Sequence, residues 1–101
     1  MRKDTKENIK AIMRKVDQFS TDGPKRVITK TDLICAIVQG TGVTHYQRKK
    51  DYVDALEAFG FIMQANKSAY YFLEDAWHAD PLFAEMKDDI KKEIVIAEAV
   101  R

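Results

Sequence analysis

Residues 44 to 60 read THYQRKKDYVDALEAFG, and the chemistry available to them is electrostatic. Arg48, Lys49 and Lys50 stand together near the start, and Asp51, Asp54 and Glu57 follow toward the end. In a helix that order is reversed from the favourable one. The N-terminal end carries a partial positive charge, so each cation there costs about 0.3–1 kcal/mol at low salt. A polyanion docking against that end would offset the cost.

Other chemistry finds little footing. His45 and His78 are the only histidines, and neither has cysteine or carboxylate neighbours at metal-ligand spacing, so no metal site is expected. The lone cysteine, Cys35, lies in the apolar run LICAIV and is expected to fill core, where a thiol lacks the activation a nucleophile needs. There is no glycine-rich phosphate loop and no nucleophile elbow. The expectation is a non-enzyme without cofactor or small-molecule ligand. In EDAWHADP, Trp77 is read as an anchor for the last helix and His78 as a surface residue.

The 101 residues, 46% hydrophobic, suit one core rather than two. The net charge of +1 conceals an asymmetry. Residues 1–69 hold 13 Lys or Arg against 8 Asp or Glu, a balance of +5, while residues 70–101 hold 4 against 8, a balance of −4. A basic body of this kind permits contact with a polyanion on one face. A single cysteine forms no internal disulfide, which suits a reducing compartment. No apolar run approaches the roughly 18 to 20 residues of a membrane span, so a cytoplasmic protein without membrane contact is expected.

The elements that would position the basic run follow from periodicity and punctuation. Asp4 and Glu7 approximate a capping box, and Ile9, Ile12, Met13, Val16 and Phe19 form one stripe, which predicts a helix over 5–19. Gly23 and Pro24 end it. Val27 and Ile28 suit a short strand. Thr29 then caps a second helix with buried face Leu33, Ile34, Ile37 and Val38 and with Gly40 as its C-cap. GTGV makes a turn. Thr44, with Gln47 as reciprocal partner, caps a third helix that Gly60 ends.

Projected at about 100° per residue, this third helix turns Leu56, Tyr52, Val53 and Phe59 inward and Gln47, Lys50, Asp51 and Asp54 outward. Lys49 leans toward the inward side, with its stem over the core edge and its ammonium in water. FIMQ and YYFL read as strands joined at ANKS. Asp80 and Pro81 open a last helix with the stripe Phe83, Met86, Ile90, Ile94 and Ala97, flanked by Leu82 and Val100.

This chain resembles the winged helix-turn-helix family of DNA-binding domains. The resemblance covers residues 5 to 74 and is carried by the element order, by GTGV as the turn, by THYQRKKDYVDALEAFGFI at the recognition-helix position and by IMQANKSAYYFL as the wing. It implies an α+β fold, with a winged helix over 1–75 and a C-terminal helix over 76–101.

As partner the resemblance implies double-stranded DNA, with the third helix entering the major groove amino end first. Gln47 would then suit adenine, and Arg48 or Lys50 guanine. Lys49 completes the basic run, and Tyr46 flanks it. Thr41, Thr44, His45 and the amides at the helix start would hold phosphate. Asn66, Lys67 and Ser68 would form the wing tip, and Lys25, Arg26 and Lys30 would add phosphate contacts. Asp51 would either accept from a cytosine amino group or orient Arg48.

The same resemblance implies a homodimer through Phe83, Met86, Ile90, Ile94 and Ala97, although a helix packed on its own domain has the same pattern. The expected role is a small sequence-selective transcriptional regulator acting by occupying a site. A plasmid or phage accessory factor, marking an origin of transfer or a partition site, stays open. So, from another class, does a module whose third helix and hairpin contact a protein.

Overall fold

The computed structural model describes residues 2–99. It is an α+β arrangement of five helices and a small antiparallel sheet: α1 (Lys3–Phe19), β1 (Arg26–Thr29), α2 (Lys30–Thr41), α3 (Tyr46–Ala58), β2 (Ile62–Asn66), β3 (Ala69–Phe72), α4 (Glu74–His78) and α5 (Pro81–Ala99). Val100, named above as a flank of the last stripe, lies outside the described residues.

The apolar stripe of α1 is the centre of the core, with Ile9, Ile12, Met13 and Val16 fully buried. The helix begins two residues earlier than expected. Arg2 precedes it without a side-chain cap, and Asp4 falls inside the first turn. Its main packing partner is α2.

The closeness of that packing explains Gly40. It is not the C-cap, because α2 runs on to Thr41 and Gly42 takes the left-handed capping conformation at φ 74°. A Cβ on Gly40 would stand 3.0 Å from the Ile12 backbone nitrogen and 3.1 Å from the Ala11 carbonyl carbon, so α1 occupies the space a side chain would need. Gly40 continues the inward face set by Leu33, Ala36 and Ile37, all fully buried. That face turns Cys35 outward, and the thiol is exposed rather than core. The run LICAIV is apolar almost all round, so composition does not say which residue faces solvent. At its start α2 behaves as expected, with the Thr29 hydroxyl accepting from the Asp32 amide at 3.1 Å.

The sheet runs in the order β1-β3-β2, with Arg26 opposite Phe72 and Thr29 opposite Ala69 on one side and Ile62 opposite Phe72 on the other. Ile28, Tyr70, Phe72 and Ile62 point into the core, as alternation along strands requires. Val27, Tyr71 and Met63 form the opposite, outer row. Burial pushes the Tyr70 phenol pKa up, and Glu57 and Asp54 add to the effect, which places the acidic part of α3 beside β3.

Phe61, just before β2, is buried and meets Trp77 edge-on at 5.0 Å. Trp77 in turn meets Phe83 at 5.7 Å. The tryptophan therefore anchors the last helix, as expected. Asp80 caps that helix by accepting from the Leu82 amide at 2.9 Å. Because Trp77, Leu82 and Met86 share one apolar cluster with α1 and α2, no core boundary falls between residues 75 and 76.

Two polar fasteners hold the assembly. The Lys10 side chain is buried beneath α5, and its ammonium donates to Asp89 Oδ2 at 2.8 Å while pairing with Glu7 at 2.9 Å. Those hydrogen bonds, Asp89 first, outweigh desolvation and raise the lysine pKa, while the hydrogen bond from Lys10 lowers that of Asp89. The second fastener is Arg26. It donates to the Asp17 carboxylate and main-chain carbonyl, pairs with Glu74 at 3.5 Å and lies 4.9 Å from the Phe72 ring centroid. No helix is long and apolar enough to cross a membrane among the described residues.

Candidate nucleic-acid interface

α3 is positioned by its apolar face. Leu56 is fully buried and Val53 nearly so, while Tyr52 is half-buried and its hydroxyl accepts from the Asn8 side chain at 2.7 Å. Phe59, expected to point inward, is 42% exposed at the C-cap and stacks on Phe61 at 5.5 Å.

The amino end differs from expectation in detail. The helix starts at Tyr46 after His45, and no side chain caps it. Thr44 and Gln47 therefore form no reciprocal cap. Gln47 instead donates to Asp51 Oδ1 at 2.9 Å, one turn along the helix. The awkward acid at position 51 is thus answered by Gln47, and the pairing fixes the glutamine amide on the solvent side.

The cations are uncompensated at this end. The first turn of α3 contains no acid. Among the described residues, Arg48, Lys49 and Lys50 take part in no ion pair. Thr44, His45, Tyr46, Gln47, Arg48 and Lys50 are exposed, and Lys49 is half-buried as its leaning position requires. Tyr46 is 74% exposed, the most open of the large apolar side chains among the described residues. Arg48 also borders a concavity between α1 and α3 with Thr5, Asp51, Tyr52 and Phe59.

A second group of the predicted residues gathers at the hairpin turn. Asn66 Oδ1 accepts from the Ser68 amide at 2.9 Å and from its hydroxyl at 3.1 Å, which closes the turn. The Ser68 carbonyl accepts from the Lys30 amide at 2.8 Å. The turn is thereby tied to the start of α2, and Lys30 and Lys67 border one small hollow with Thr31, Ile34 and Ser68. The twelve residues of α2 and the turn that follows it lie between this group and the start of α3 along the chain.

Several predicted contacts change role or place. Arg26 is held by Asp17 and Glu74 at the far end of the sheet from the hairpin turn, three ladder steps or about 10 Å away. It is a fastener rather than part of the interface, and Lys25 lies at that far end with it. The Thr41 hydroxyl donates to the Ile37 carbonyl at 2.7 Å and accepts from the Val43 amide at 3.1 Å. Both of its hydrogen-bonding functions shape the α2–α3 turn, as hydroxyls near helix ends commonly do. The Asn66 carbonyl and Ser68 hydroxyl do the same for the hairpin, leaving Lys67 as the cation at its tip.

Of the predicted dimer stripe, Met86 is buried in the chain's own core, and Phe83 and Ile90 pack against it. Ile94 and Ala97 are exposed. The stripe is therefore divided between packed and exposed positions.

The sequence reading did not single out Tyr46 for its exposure, nor the Lys10–Asp89 fastener. The signal for the first was an aromatic residue ahead of a helix's first apolar position. For the second none exists without knowing that α5 folds back on α1. Among the described residues, no group of three His, Cys, Asp or Glu side chains is arranged to hold a metal.

Comparison with family models, with curated protein sequences and with solved structures yields no match in any of the three.

Proposed function

We propose that this chain is a winged-helix protein that binds double-stranded DNA, with the start of α3 as its reading element and the Lys30–Lys67 hollow as a second backbone contact. The observation that carries the reading is the positive end of α3: three cations outside any ion pair among the described residues, no acid in the first turn, and an exposed aromatic beside them. Phosphate contact turns the dipole cost of those cations into a gain through release of condensed counterions.

Three further features support the proposal. The element order and the β1-β3-β2 sheet fit a helix-turn-helix followed by a wing. One cationic group lies at the start of α2 and the other beyond its end, so they offer two separate phosphate contacts. The Gln47 amide, steadied by Asp51, presents a carbonyl and an N–H to a base edge. The protein acts by occupying its site, as a sequence-selective transcriptional regulator. A plasmid or phage accessory role uses the same surface.

Fluorescence anisotropy with duplex DNA tests this. Arg48→Ala and Lys50→Ala are each expected to weaken binding by about 1–3 kcal/mol if they touch base edges. Unchanged binding in both would remove α3 from the interface. A protein-binding module is the second reading. It is favoured by Met63, 52% exposed beside Tyr71 on the outer sheet face, and it predicts affinity for a protein and none for DNA.

A further inference from the structure

The two edges of the sheet are finished differently. β1 forms one edge and β2 the other, with β3 between them. On β1 the outward main-chain groups of Val27 are both taken. Its carbonyl accepts from the Thr21 amide at 2.9 Å, and its amide donates to the Thr21 hydroxyl at 3.0 Å. Thr21 closes this edge, as folded chains commonly do for a strand that would otherwise pair with another.

β2 has no such cover. The Leu73 amide donates to the Phe61 carbonyl at 2.8 Å, and Met63 is the next-but-one residue, opposite Tyr71. Hydrogen bonds in an antiparallel ladder engage alternate residues of a strand. Phe61 and Met63 therefore turn their main-chain groups toward β3, and Ile62 and Gln64 turn theirs away. Among the described residues, nothing outside the sheet hydrogen-bonds to the amides or carbonyls of Ile62 and Gln64. A register shift between Gln64 and Asn66 ends the regular stretch, so the open edge is short.

The two faces beside this edge differ in chemistry. Burial, then the charges of Glu57 and Asp54, raise the Tyr70 pKa, and Tyr70 is the ladder partner of Gln64. The acids thus stand on the face that Ile62, Gln64 and Tyr70 share. Both are exposed, and neither takes part in an ion pair among the described residues. On the opposite face Met63 is 52% exposed.

We propose that the edge of β2 takes an extended basic peptide of another protein as an added antiparallel strand. Peptide residues opposite Ile62 and Gln64 exchange main-chain hydrogen bonds with them. Directly opposed side chains share a face, so lysine or arginine at those peptide positions meets Asp54 and Glu57. The residues between them point to the other face, where an apolar side chain covers Met63. The edge therefore fits a sequence that alternates basic and apolar residues. The basic start of α3 takes no part, so this surface does not depend on the DNA reading.

Fluorescence anisotropy of the full chain with a labelled, end-blocked peptide of eight alternating lysine and valine residues tests the proposal. This peptide is expected to bind about tenfold more tightly than one with glutamate in place of lysine, because two exposed pairs change sign. N-methylation of its lysines removes the amides that face β2 and should abolish binding. N-methylation of its valines, whose amides face away, should leave binding intact. The double variant Asp54→Lys with Glu57→Lys should reverse the preference in favour of the glutamate peptide, and both positions are exposed, so the core is untouched.

No binding of the lysine peptide would overturn the proposal. Equal loss from the two methylations would also overturn it, because charge attraction without strand pairing makes no distinction between them. So would an unchanged preference in the double variant. A dimer of the chain that Gln64→Pro dissociates would assign the edge to a second copy instead, since that proline removes an outward amide and leaves the β3 ladder whole.

Discussion

A side chain here can be assigned a role by asking which of its polar atoms are already spoken for. Arg26 and Thr41 are cationic or hydroxylic and close in sequence to the turn elements, but their hydrogen-bonding groups are taken by Asp17, Glu74 and the Ile37 carbonyl. Arg48 and Lys50 are not so engaged, and the difference separates fasteners from candidate readers. Gly40 makes the same point for space. Replacing it with Ala gains up to about 1 kcal/mol of helix propensity. The new Cβ, however, would meet rigid backbone of Ala11 and Ile12 at 3.0–3.2 Å, and overpacking of that kind costs about 1–3 kcal/mol. The net expectation for Gly40→Ala is a loss of about 1–2 kcal/mol, read as a lower denaturant midpoint with an unchanged slope. An equal or higher midpoint would mean that α1 and α2 can move apart freely.

Among the elements, α1 and α5 are joined by a charge pair whose response to pH has a definite sign. Asp89 has a folded pKa below its ordinary 3.8, so its contribution is present above that value and disappears as pH falls through the lowered one. Lys10 has a folded pKa above its ordinary 10.5, so its contribution is complete below 10.5 and is lost only as pH rises through the raised value. Chemical denaturation of Asp89→Ala beside the parent should show a stability gap that is constant between those limits and closes in acid. A gap that stayed constant into strong acid would show that the pair does not hold α5.

The same elements show what could be read from order alone. α1 was legible because its stripe is strictly amphipathic, and the hairpin because β-branched and aromatic runs flank ANKS. The buried face of α2 was less so, because an apolar residue occupies nearly every direction, and Cys35, expected in the core, is exposed. The stripe of α5 was visible, but its period cannot say whether the chain's own core or a second copy covers it. The structure divides the stripe between Met86, buried, and Ile94, exposed.

For the whole molecule, one apolar cluster joins α1, α2, the sheet and the start of α5, and Trp77 stands at its edge between Phe61 and Phe83. That single core holds the two cationic groups, at the start of α3 and at the Lys30–Lys67 hollow, in fixed relation. It leaves residues 91–98 of α5 exposed. Charge is unevenly spread along the chain: the +5 of residues 1–69 contains both cationic groups, and the −4 of residues 70–101 lies beyond them in sequence.

The central claim, that the start of α3 neutralises phosphate, is tested most directly by the salt dependence of duplex DNA binding. The logarithm of affinity should fall linearly with the logarithm of salt concentration for the parent chain. In the double variant Arg48→Ala with Lys50→Ala, the slope should be shallower by about 1 for each phosphate contact removed. Binding independent of salt, or the same slope in parent and variant, would contradict the account.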